Sequence, residues 1–273
     1  MMMSKATPTL RNASRVDSSL LDSSVRLREI VRGGLTSSFQ PIYEIGEKMP
    51  FAIEGFVRGP AGSALETPDD LFEAARYAGV SPAFDEAASQ IVLKAFAELR
   101  WPGKLFLNLR PSSLETSPRF VSNLRRAIDS VGLHPSQIVL ELTEHEPFPD
   151  PAFILRVLDP LFDEGMKLSL DDVGAGFANM RAICELQPHF IKVDRYFIQG
   201  IAESVVKRSA VQNFINLASD VGAMLVAEGV EQKEDALTLV QLGVRLMQGH
   251  LLTRPAAKPT LVPLSGRFWG AYL

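Results

Sequence analysis

The sequence contains a single cysteine, Cys184, and this scarcity excludes two kinds of structural support. One cysteine cannot form an internal disulfide. It also leaves a structural zinc–thiolate site without its usual set of ligands. We expect Cys184 to be a small buried apolar side chain and not a reactive thiol.

Long apolar runs and a large excess of charge of one sign are also missing. No stretch approaches the roughly 20 apolar residues that a transmembrane helix needs, and the Ser-rich start of the chain lacks the apolar centre of a signal peptide. The net charge is only -4, so nothing indicates binding to DNA or to a membrane surface. These absences predict a cytoplasmic protein.

Beyond the first 25 residues the sequence alternates between strand-like and helix-like segments. We interpret residues 1–25 as a flexible tail and residues 26–273 as one folded domain, because the tail is poor in large apolar side chains. Short apolar runs typical of strands are separated by amphipathic segments typical of helices. The predicted strands are 37–45, 51–58, 104–109, 137–142, 166–172, 190–194, 223–229 and 244–249.

This alternation predicts an α/β fold of the TIM type, a (β/α)₈ barrel, since eight strands with helical crossovers over roughly 240 residues fit that architecture. The first two strands are too close for a crossover helix, so we expect them to pair antiparallel. The alternative is a doubly wound open sheet. No Gly-rich phosphate loop follows an early strand, and we therefore favour the barrel.

Polar residues follow or end most of the predicted strands, where barrel enzymes place their chemistry. The set comprises Glu54, Arg58, Asn108, Glu141, Glu144, Asp171, Asp172, Lys192, Asp194, Glu228, Glu231 and Gln248. Carboxylates with an Asn carbonyl form a hard-oxygen site that suits Mg²⁺ or Mn²⁺ better than zinc. One cation would neutralise the adjacent aspartates, and two would fit so many acids better.

Several of these residues also have a plain structural interpretation. An acid at the end of a strand often caps a helix or lies solvated at the rim, and for Asp194 and Glu231 that interpretation is as good as a functional one. Lys192 by itself would fit a structural ion pair. Asp171 and Asp172 are neighbours, so we expect them to converge only if the strand ends between them and the following glycines turn the chain.

With these residues identified, the sequence resembles the EAL domain family, the cyclic di-GMP phosphodiesterases, over about residues 26–256. The order and spacing of the motifs along one barrel make the resemblance specific. The motifs are FQPI (39–42), EGFVR (54–58), NLRPSSL (108–114), ELTE (141–144), DDVGAGFANM (171–180), KVD (192–194), AEGVE (227–231) and QGHLLTRP (248–255).

The resemblance implies a role for each matching residue. The implied metal ligands are Glu54, Asn108, Glu141, Asp171 and Asp172, with Asp172 serving the second metal and helping to bridge the pair. Catalytic roles fall on Lys192, which would orient or deprotonate the attacking water, on Glu228 beside it, and on Glu144, which would steady the loop after the fifth strand and couple dimerisation to the metals. The implied substrate-binding residues are Gln40, Phe56, Arg58 and Gln248.

The resemblance also implies the reaction and its cofactors. It predicts hydrolysis of cyclic di-GMP to linear pGpG with two divalent cations, Mg²⁺ or Mn²⁺, while Ca²⁺ would bind without supporting activity. It further implies a homodimer and allows a regulatory protein partner. The alternative is a catalytically weak or inactive cyclic di-GMP receptor or interaction module. Such a protein would usually lack residues such as Asp171, Asp172 or Lys192, and all three are present.

The sequence departs from the usual family pattern at a few positions near the predicted site. The Glu-Ala-Leu signature is here Glu54-Gly55-Phe56, and Gly59 replaces the usual Trp. Arg110 stands where a serine is common, Val173 replaces a Phe, and His250 replaces a Tyr. None of these changes removes a predicted metal ligand or the lysine. Phe56 and Gly59 fall on the expected guanine-binding surface.

Overall fold

A computed structural model of the chain describes residues 31, 34–47, 49–143, 149–174 and 180–261. In this part of the chain eight strands form a closed barrel in sequence order. The strands are β1 Thr36–Glu44, β2 Pro50–Arg58, β3 Lys104–Leu109, β4 Ile138–Leu142, β5 Lys167–Val173, β6 Phe190–Val193, β7 Met224–Ala227 and β8 Leu246–Met247.

Helices connect the strands from β2 onward and cover the outside of the barrel. The α-helices are α1 Pro68–Tyr77, α2 Ser81–Leu99, α3 Pro111–Thr116, α4 Phe120–Ser130, α5 Pro151–Asp163, α6 Met180–Leu186, α7 Arg195–Ile198, α8 Val205–Val221 and α9 Lys233–Gln241. Two short 3₁₀ turns, Pro135–Gln137 and Ile201–Glu203, precede β4 and α8.

The strand directions confirm the predicted TIM-type barrel. β1 is antiparallel to both β2 and β8, whereas every other neighbouring pair is parallel. The short 45–49 connection allows only an antiparallel return, while the longer connections carry helices and return the chain in parallel. The last two strands are shorter than predicted, so Glu228 and Gln248 lie just beyond the ladder.

Helix α1 illustrates how local sequence fixes an element that later forms a wall of the site. Thr67 caps its first turn by accepting a hydrogen bond from the Asp70 N–H, and Pro68 occupies the first helical position. Leu71 and Ala75 are fully buried on the inner face of the helix. This face packs with Phe84 of α2 in a small apolar cluster beside β2.

The barrel interior is filled in layers. An apolar floor consists of Ile42, Ala52, Phe106, Val139, Phe190, Val226 and Leu246. Side chains two residues apart on a strand face the same side, so the position two residues nearer the barrel mouth belongs to the next interior layer. That layer, here called the polar layer, consists of Gln40, Glu54, Asn108, Glu141, Asp171, Lys192, Glu228 and Gln248.

A β-bulge brings the two aspartates together, and our sequence-based expectation for this turn was wrong. β5 continues past both residues to Val173. Leu170 pairs with Ile191 and Val173 pairs with Val193. Between these two pairs, β5 contains one residue more than β6. Asp172 has φ 52°, a left-handed backbone that Asp tolerates better than most residues. The bulge therefore lets consecutive residues turn toward the mouth.

Two further expectations can be compared with the structure. Cys184 on α6 is exposed, so the prediction of a buried cysteine was wrong. Its helix buries Ala182, Ile183 and Leu186 instead, and the cysteine lies on the outer side. Residues 1–25, predicted to be a flexible tail, lie outside the described residues. Among the described residues, no helix combines the length and the apolarity that crossing a bilayer requires.

Candidate active site

The centre of the polar layer is the ammonium group of Lys192, which contacts four carboxylates. Its Nζ atom lies 3.0 Å from Glu54 Oε2, 3.0 Å from Asp171 Oδ1 and 2.7 Å from Glu228 Oε1. It also donates to Glu141 Oε1. Lys192 and Glu141 are completely buried. These five side chains come from strands β2, β4, β5 and β6 and from the end of β7.

This cluster carries more negative than positive charge in a buried environment. Burial raises the pKa of Glu141 well above its usual value, with a further contribution from the charges of Asp171 and Glu54. Burial and Asp171 raise the pKa of Glu228 in the same way. The pKa of Asp171 is instead lowered, because the Lys192 ammonium and hydrogen bonds outweigh the effect of burial. A single ammonium does not balance the cluster, which favours the addition of cations.

Amide side chains hold the orientation of Glu54. Asn108 donates from Nδ2 to Glu54 Oε1 at 3.1 Å, and Gln248 donates from Nε2 to Glu54 Oε2 at 2.9 Å. Gln248 also donates to Gln40 Oε1 at 3.2 Å, and Gln40 donates to the Thr253 carbonyl at 2.9 Å. The side-chain nitrogens of Asn108 and Gln248 both donate to Glu54. The carbonyl oxygen of Asn108 is therefore the atom of this side chain that could bind a metal.

The same residues form two groups of oxygen donors that suit divalent cations. The first group contains Glu54, Glu141 and Asp171, and the second contains Asp171, Asp172 and Glu228. Within each group the ligand oxygens lie within 4.8 Å of one another. Glu141 Oε2 is buried without a hydrogen-bond partner. Buried polar atoms normally have a partner, so this oxygen fits the role of a metal ligand. All-oxygen donor sets of this kind fit Mg²⁺ or Mn²⁺, and Asp171 is common to both groups.

Above the polar layer, an open cavity of about 770 Å³ leads to the barrel mouth. Arg58 forms part of its wall, with Nε donating to Ser38 Oγ at 2.9 Å and its guanidinium carbon 5.4 Å from the Phe56 ring centre. The nine predicted site residues that line this cavity are Gln40, Glu54, Phe56, Arg58, Asn108, Asp171, Asp172, Glu228 and Gln248.

The remaining predicted site residues have different positions. Lys192 and Glu141 lie beneath the cavity, in contact with the acids that line it. Glu144 lies outside the described residues, so its role in steadying the loop after β5 stays a prediction.

Asp194 and Glu231 are the two acids for which the sequence left a structural and a functional interpretation open. Asp194 caps α7 by accepting a hydrogen bond from the Tyr196 N–H at 2.9 Å. Glu231 lies 3.9 Å from His250, and both acids also line the cavity.

A second ring of cavity residues includes Phe56, which was predicted to bind substrate, Asp194, which was left open, and three residues that were not predicted as part of the site. These residues follow the polar layer by two positions on their strands, and we call them the rim layer: Phe56, Arg110, Thr143, Asp194 and His250. The strand period of two was the available signal, because it places Arg110 above Asn108 and His250 above Gln248. Phe56, Arg110 and His250, three of the departures noted above, therefore lie in one layer, whereas the polar layer keeps the family pattern.

The unusual glycine of the Glu54-Gly55-Phe56 segment has a packing explanation. Gly55 faces outward from β2 toward α2, and a Cβ atom at this position would lie 2.4 Å from Val92 Cγ1 and 3.1 Å from Leu105 Cδ1. Val92 is buried and β-branched, so it has little freedom to move away. Val92 thus fills the space that an alanine methyl group would take.

We therefore expect Gly55→Ala to destabilise the protein by about 1–3 kcal/mol through overpacking. In a Val92→Ala background the same change should cost much less, because the clashing methyl groups are gone. Urea unfolding of the single and double variants measures this coupling. An equal loss in both backgrounds would contradict the proposed packing conflict.

The barrel and its carboxylate-rich mouth define the class of protein. A sequence model of the EAL domain family matches residues 24–255. Since the match covers most of the chain, the chain belongs to the EAL domain family.

Curated relatives agree with this assignment. The chain is 33% identical over 162 residues to cyclic di-GMP phosphodiesterase RocR of Pseudomonas aeruginosa, covering 59% of this chain and 41% of RocR. It is 34% identical over 128 residues to cyclic di-GMP phosphodiesterase PdeL of Escherichia coli, covering 47% of this chain and 35% of PdeL. The matches thus span about two fifths of the relatives' length.

Solved structures show the same fold. Klebsiella pneumoniae BlrP1 in complex with manganese and cyclic di-GMP has a TM-score of 0.75 and 32% identity, covering 82% of this chain and 56% of that chain. Its calcium and cyclic di-GMP complex has a TM-score of 0.76 and 32% identity, covering 83% and 57%. A standalone EAL protein of Vibrio cholerae with bound cyclic di-GMP has a TM-score of 0.73 and 27% identity, covering 81% and 92%.

Proposed function

We propose that the protein hydrolyses cyclic di-GMP to linear pGpG with two divalent cations. The observation that carries this proposal is the pair of oxygen-donor groups that share Asp171 and surround Lys192 at the barrel mouth. The relatives named as cyclic di-GMP phosphodiesterases support the choice of substrate. The alternative, an inactive receptor, has no support in the site, since all the described metal ligands and the lysine are in place.

The residues of the chain divide the chemistry among them. When bound, the two cations would neutralise the phosphodiester and make hydroxide available near neutral pH. One cation would be held by Glu54, Asn108, Glu141 and Asp171. The other would be held by Asp171, Asp172 and Glu228. Asp171 belongs to both groups, whereas Asp172 belongs to one, and this supports Asp171 rather than Asp172 as the ligand that would be shared by the two cations. A shared ligand keeps two cations close enough to act on one phosphate.

Lys192 is positioned to hold or move a proton of the attacking water. Its pKa is raised, because the four surrounding carboxylates outweigh the effect of burial, so the group is protonated and donates hydrogen bonds. With the cations bound, the four carboxylates would serve as metal ligands, and the Lys192 ammonium would be available to orient the attacking water. Glu228, in the second oxygen group, lies 2.7 Å from the same ammonium and also lines the cavity, so it would be able to share that proton.

The parts of the dinucleotide away from the cations would be bound by Arg58, Phe56, Gln40 and Gln248. The guanidinium of Arg58 is held by Ser38 and can clamp a phosphate with two parallel hydrogen bonds. The neighbouring Phe56 ring offers a face for a guanine base. Gln40 and Gln248 belong to the polar layer, line the same cavity and are linked by a hydrogen bond.

The direct test is to incubate the protein with cyclic di-GMP and Mg²⁺ or Mn²⁺ and to separate the products by chromatography. We expect pGpG to accumulate and EDTA to stop the reaction. Binding of the dinucleotide without any pGpG, at several metal concentrations, would support the receptor function instead.

The choice of ion gives a second prediction. Mg²⁺ and Mn²⁺ should support turnover, whereas Ca²⁺ should allow binding and give a rate at least about a hundredfold lower. Ca²⁺ is larger, accepts looser geometry and lowers the pKa of water less. Initial rates and calorimetric affinities measured with each ion alone would separate binding from turnover. Full activity with Ca²⁺ as the only divalent ion would argue against this mechanism.

A homodimer, a regulatory protein partner and a cytoplasmic location remain part of the proposal. Sedimentation of the purified protein with and without cyclic di-GMP and Mg²⁺ would test the first of these.

A further inference from the structure

From the rim layer and the α1 wall we infer that Arg110 and Phe72 form a recognition site for one guanine base of the substrate. This inference rests on the proposed function and adds to it how the base is selected. Both residues line the same cavity as Glu54, Asp171, Asp172 and Glu228 of the two oxygen-donor groups.

The backbone places Arg110 above the metal ligands. Asn108 contacts Glu54 in the polar layer. Arg110 follows two residues later with an extended backbone, φ -86° and ψ 127°, so the period of the strand continues through it. Its side chain therefore leaves the barrel wall on the same side as Asn108, about one layer closer to the mouth.

Contacts with α1 and α2 hold the Arg110 side chain in place. Its guanidinium carbon lies 5.4 Å from the Phe72 ring centre, and Nη1 lies 3.5 Å from the Phe72 carbonyl oxygen. Phe72 is itself fixed by an edge-to-face contact with Phe84, with centroids 5.2 Å apart. The buried carboxyl of Asp85, which accepts from Ser113, attracts the guanidinium electrostatically. A side chain held in this way loses little freedom on binding a ligand.

The chemistry of this wall fits a guanine better than a second phosphate. Guanine presents O6 and N7 as two adjacent acceptors, which an arginine fork can contact together. The flat base also needs an apolar or aromatic face, and Phe72, Ala88 and Val92 line the same wall. A phosphate would use the charge of Arg110 but not these apolar neighbours. In the proposed function, Arg58 and the cations would bind the phosphate to be cleaved.

The test compares dinucleotides that differ only in the base. Cyclic di-AMP has the same sugar–phosphate ring as cyclic di-GMP, but adenine carries an amino donor where guanine has O6. We would measure the affinity of both by calorimetry in Ca²⁺, and the hydrolysis of bis(p-nitrophenyl) phosphate, a diester without a base, in Mn²⁺. The variants are Arg110→Ser, Arg110→Lys and Phe72→Leu.

Arg156→Ser is the matched control, because Arg156 is exposed on α5 and stacks on Phe153 at a similar distance, 5.7 Å, away from the cavity. We expect Arg110→Ser to weaken cyclic di-GMP binding about ten- to a hundredfold. Its cyclic di-AMP affinity and its rate on the base-free diester should stay within about twofold of wild type. Arg110→Lys should lose nearly as much as Arg110→Ser, since an ammonium cannot form the fork.

Three results would overturn the inference. Equal losses for both dinucleotides would assign Arg110 to a phosphate, unchanged affinity would assign it a structural role, and a matching loss in Arg156→Ser would show a non-specific effect. Thermal unfolding of each variant identifies any loss that reflects misfolding, in which case Arg110→Lys decides the outcome. If the wild-type protein binds cyclic di-GMP but releases no pGpG, the proposed function fails while the base site is still judged by affinity.

Discussion

Asp171→Asn should lower the rate of cyclic di-GMP hydrolysis by at least about three orders of magnitude, the largest effect that we expect from a single substitution. Asp171 is the only residue common to the two oxygen-donor groups found among the described residues. Its replacement by an amide removes charge from both groups at once. The barrel should remain folded, because asparagine preserves the size of the side chain. Chromatography of pGpG gives the rate, and calorimetric titration with Mn²⁺ gives the number of ions bound.

Asp172→Asn provides the informative comparison. It belongs to one group only, so this variant should lose one Mn²⁺ site and retain the other, whereas Asp171→Asn should weaken both. Asp220→Asn, at an exposed position on α8, serves as the control and should behave like wild type. Near wild-type turnover and two intact Mn²⁺ sites in Asp171→Asn would show that the shared-ligand arrangement is wrong.

Lys192→Met should separate catalysis from substrate binding. We expect the maximal rate to fall about 10²–10⁴-fold, as is typical for loss of a group that positions or transfers a proton. The affinity for cyclic di-GMP in Ca²⁺ should change little, because Lys192 lies beneath the cavity and does not line it. A variant that binds the dinucleotide poorly yet turns over normally at saturation would reverse these two roles.

The same substitution should make stability depend on metal. Without divalent cations, Lys192→Met leaves four carboxylates clustered without their shared ammonium, and we expect the free energy of unfolding to fall by about 3–5 kcal/mol. Saturating Mn²⁺ should restore much of this loss. Urea unfolding with EDTA and with Mn²⁺ measures both values, and Lys94→Met, at an exposed position on α2, is the control. An equal loss with and without Mn²⁺ would contradict the view that the carboxylate cluster binds cations.

Much of the candidate site could be predicted because the strands follow a strict period of two. An apolar floor residue such as Phe106 is followed by Asn108 and then by Arg110, and the same order recurs with Leu246, Gln248 and His250. The positions of these residues at strand ends, together with the family resemblance, therefore identified the polar layer, and the period of two explains why it faces the barrel interior. Its residues lie on six of the strands and directly after the last two, and their order along the chain is also their order around the barrel.

The bulge in β5 could not be predicted, because it is a property of pairing between strands. The sequence shows Leu170, two aspartates and Val173, and this pattern is equally compatible with a strand that ends between the acids. Only the register against Ile191 and Val193 fixes the extra residue and the left-handed backbone at Asp172. Strand register depends on which side chains the surrounding helices bury, and this is decided across the whole barrel.

By itself, the sequence determined the barrel class, the family pattern and the identity of the metal-ligand candidates, because strand periodicity, connection length and residue chemistry are local properties. The tertiary structure decided how these residues act together. It placed Lys192 among four carboxylates, made Asp171 common to both oxygen groups, and set Gly55 against Val92. Each of these arrangements joins residues that are distant along the chain, and only the closing of the barrel brings their atoms into contact.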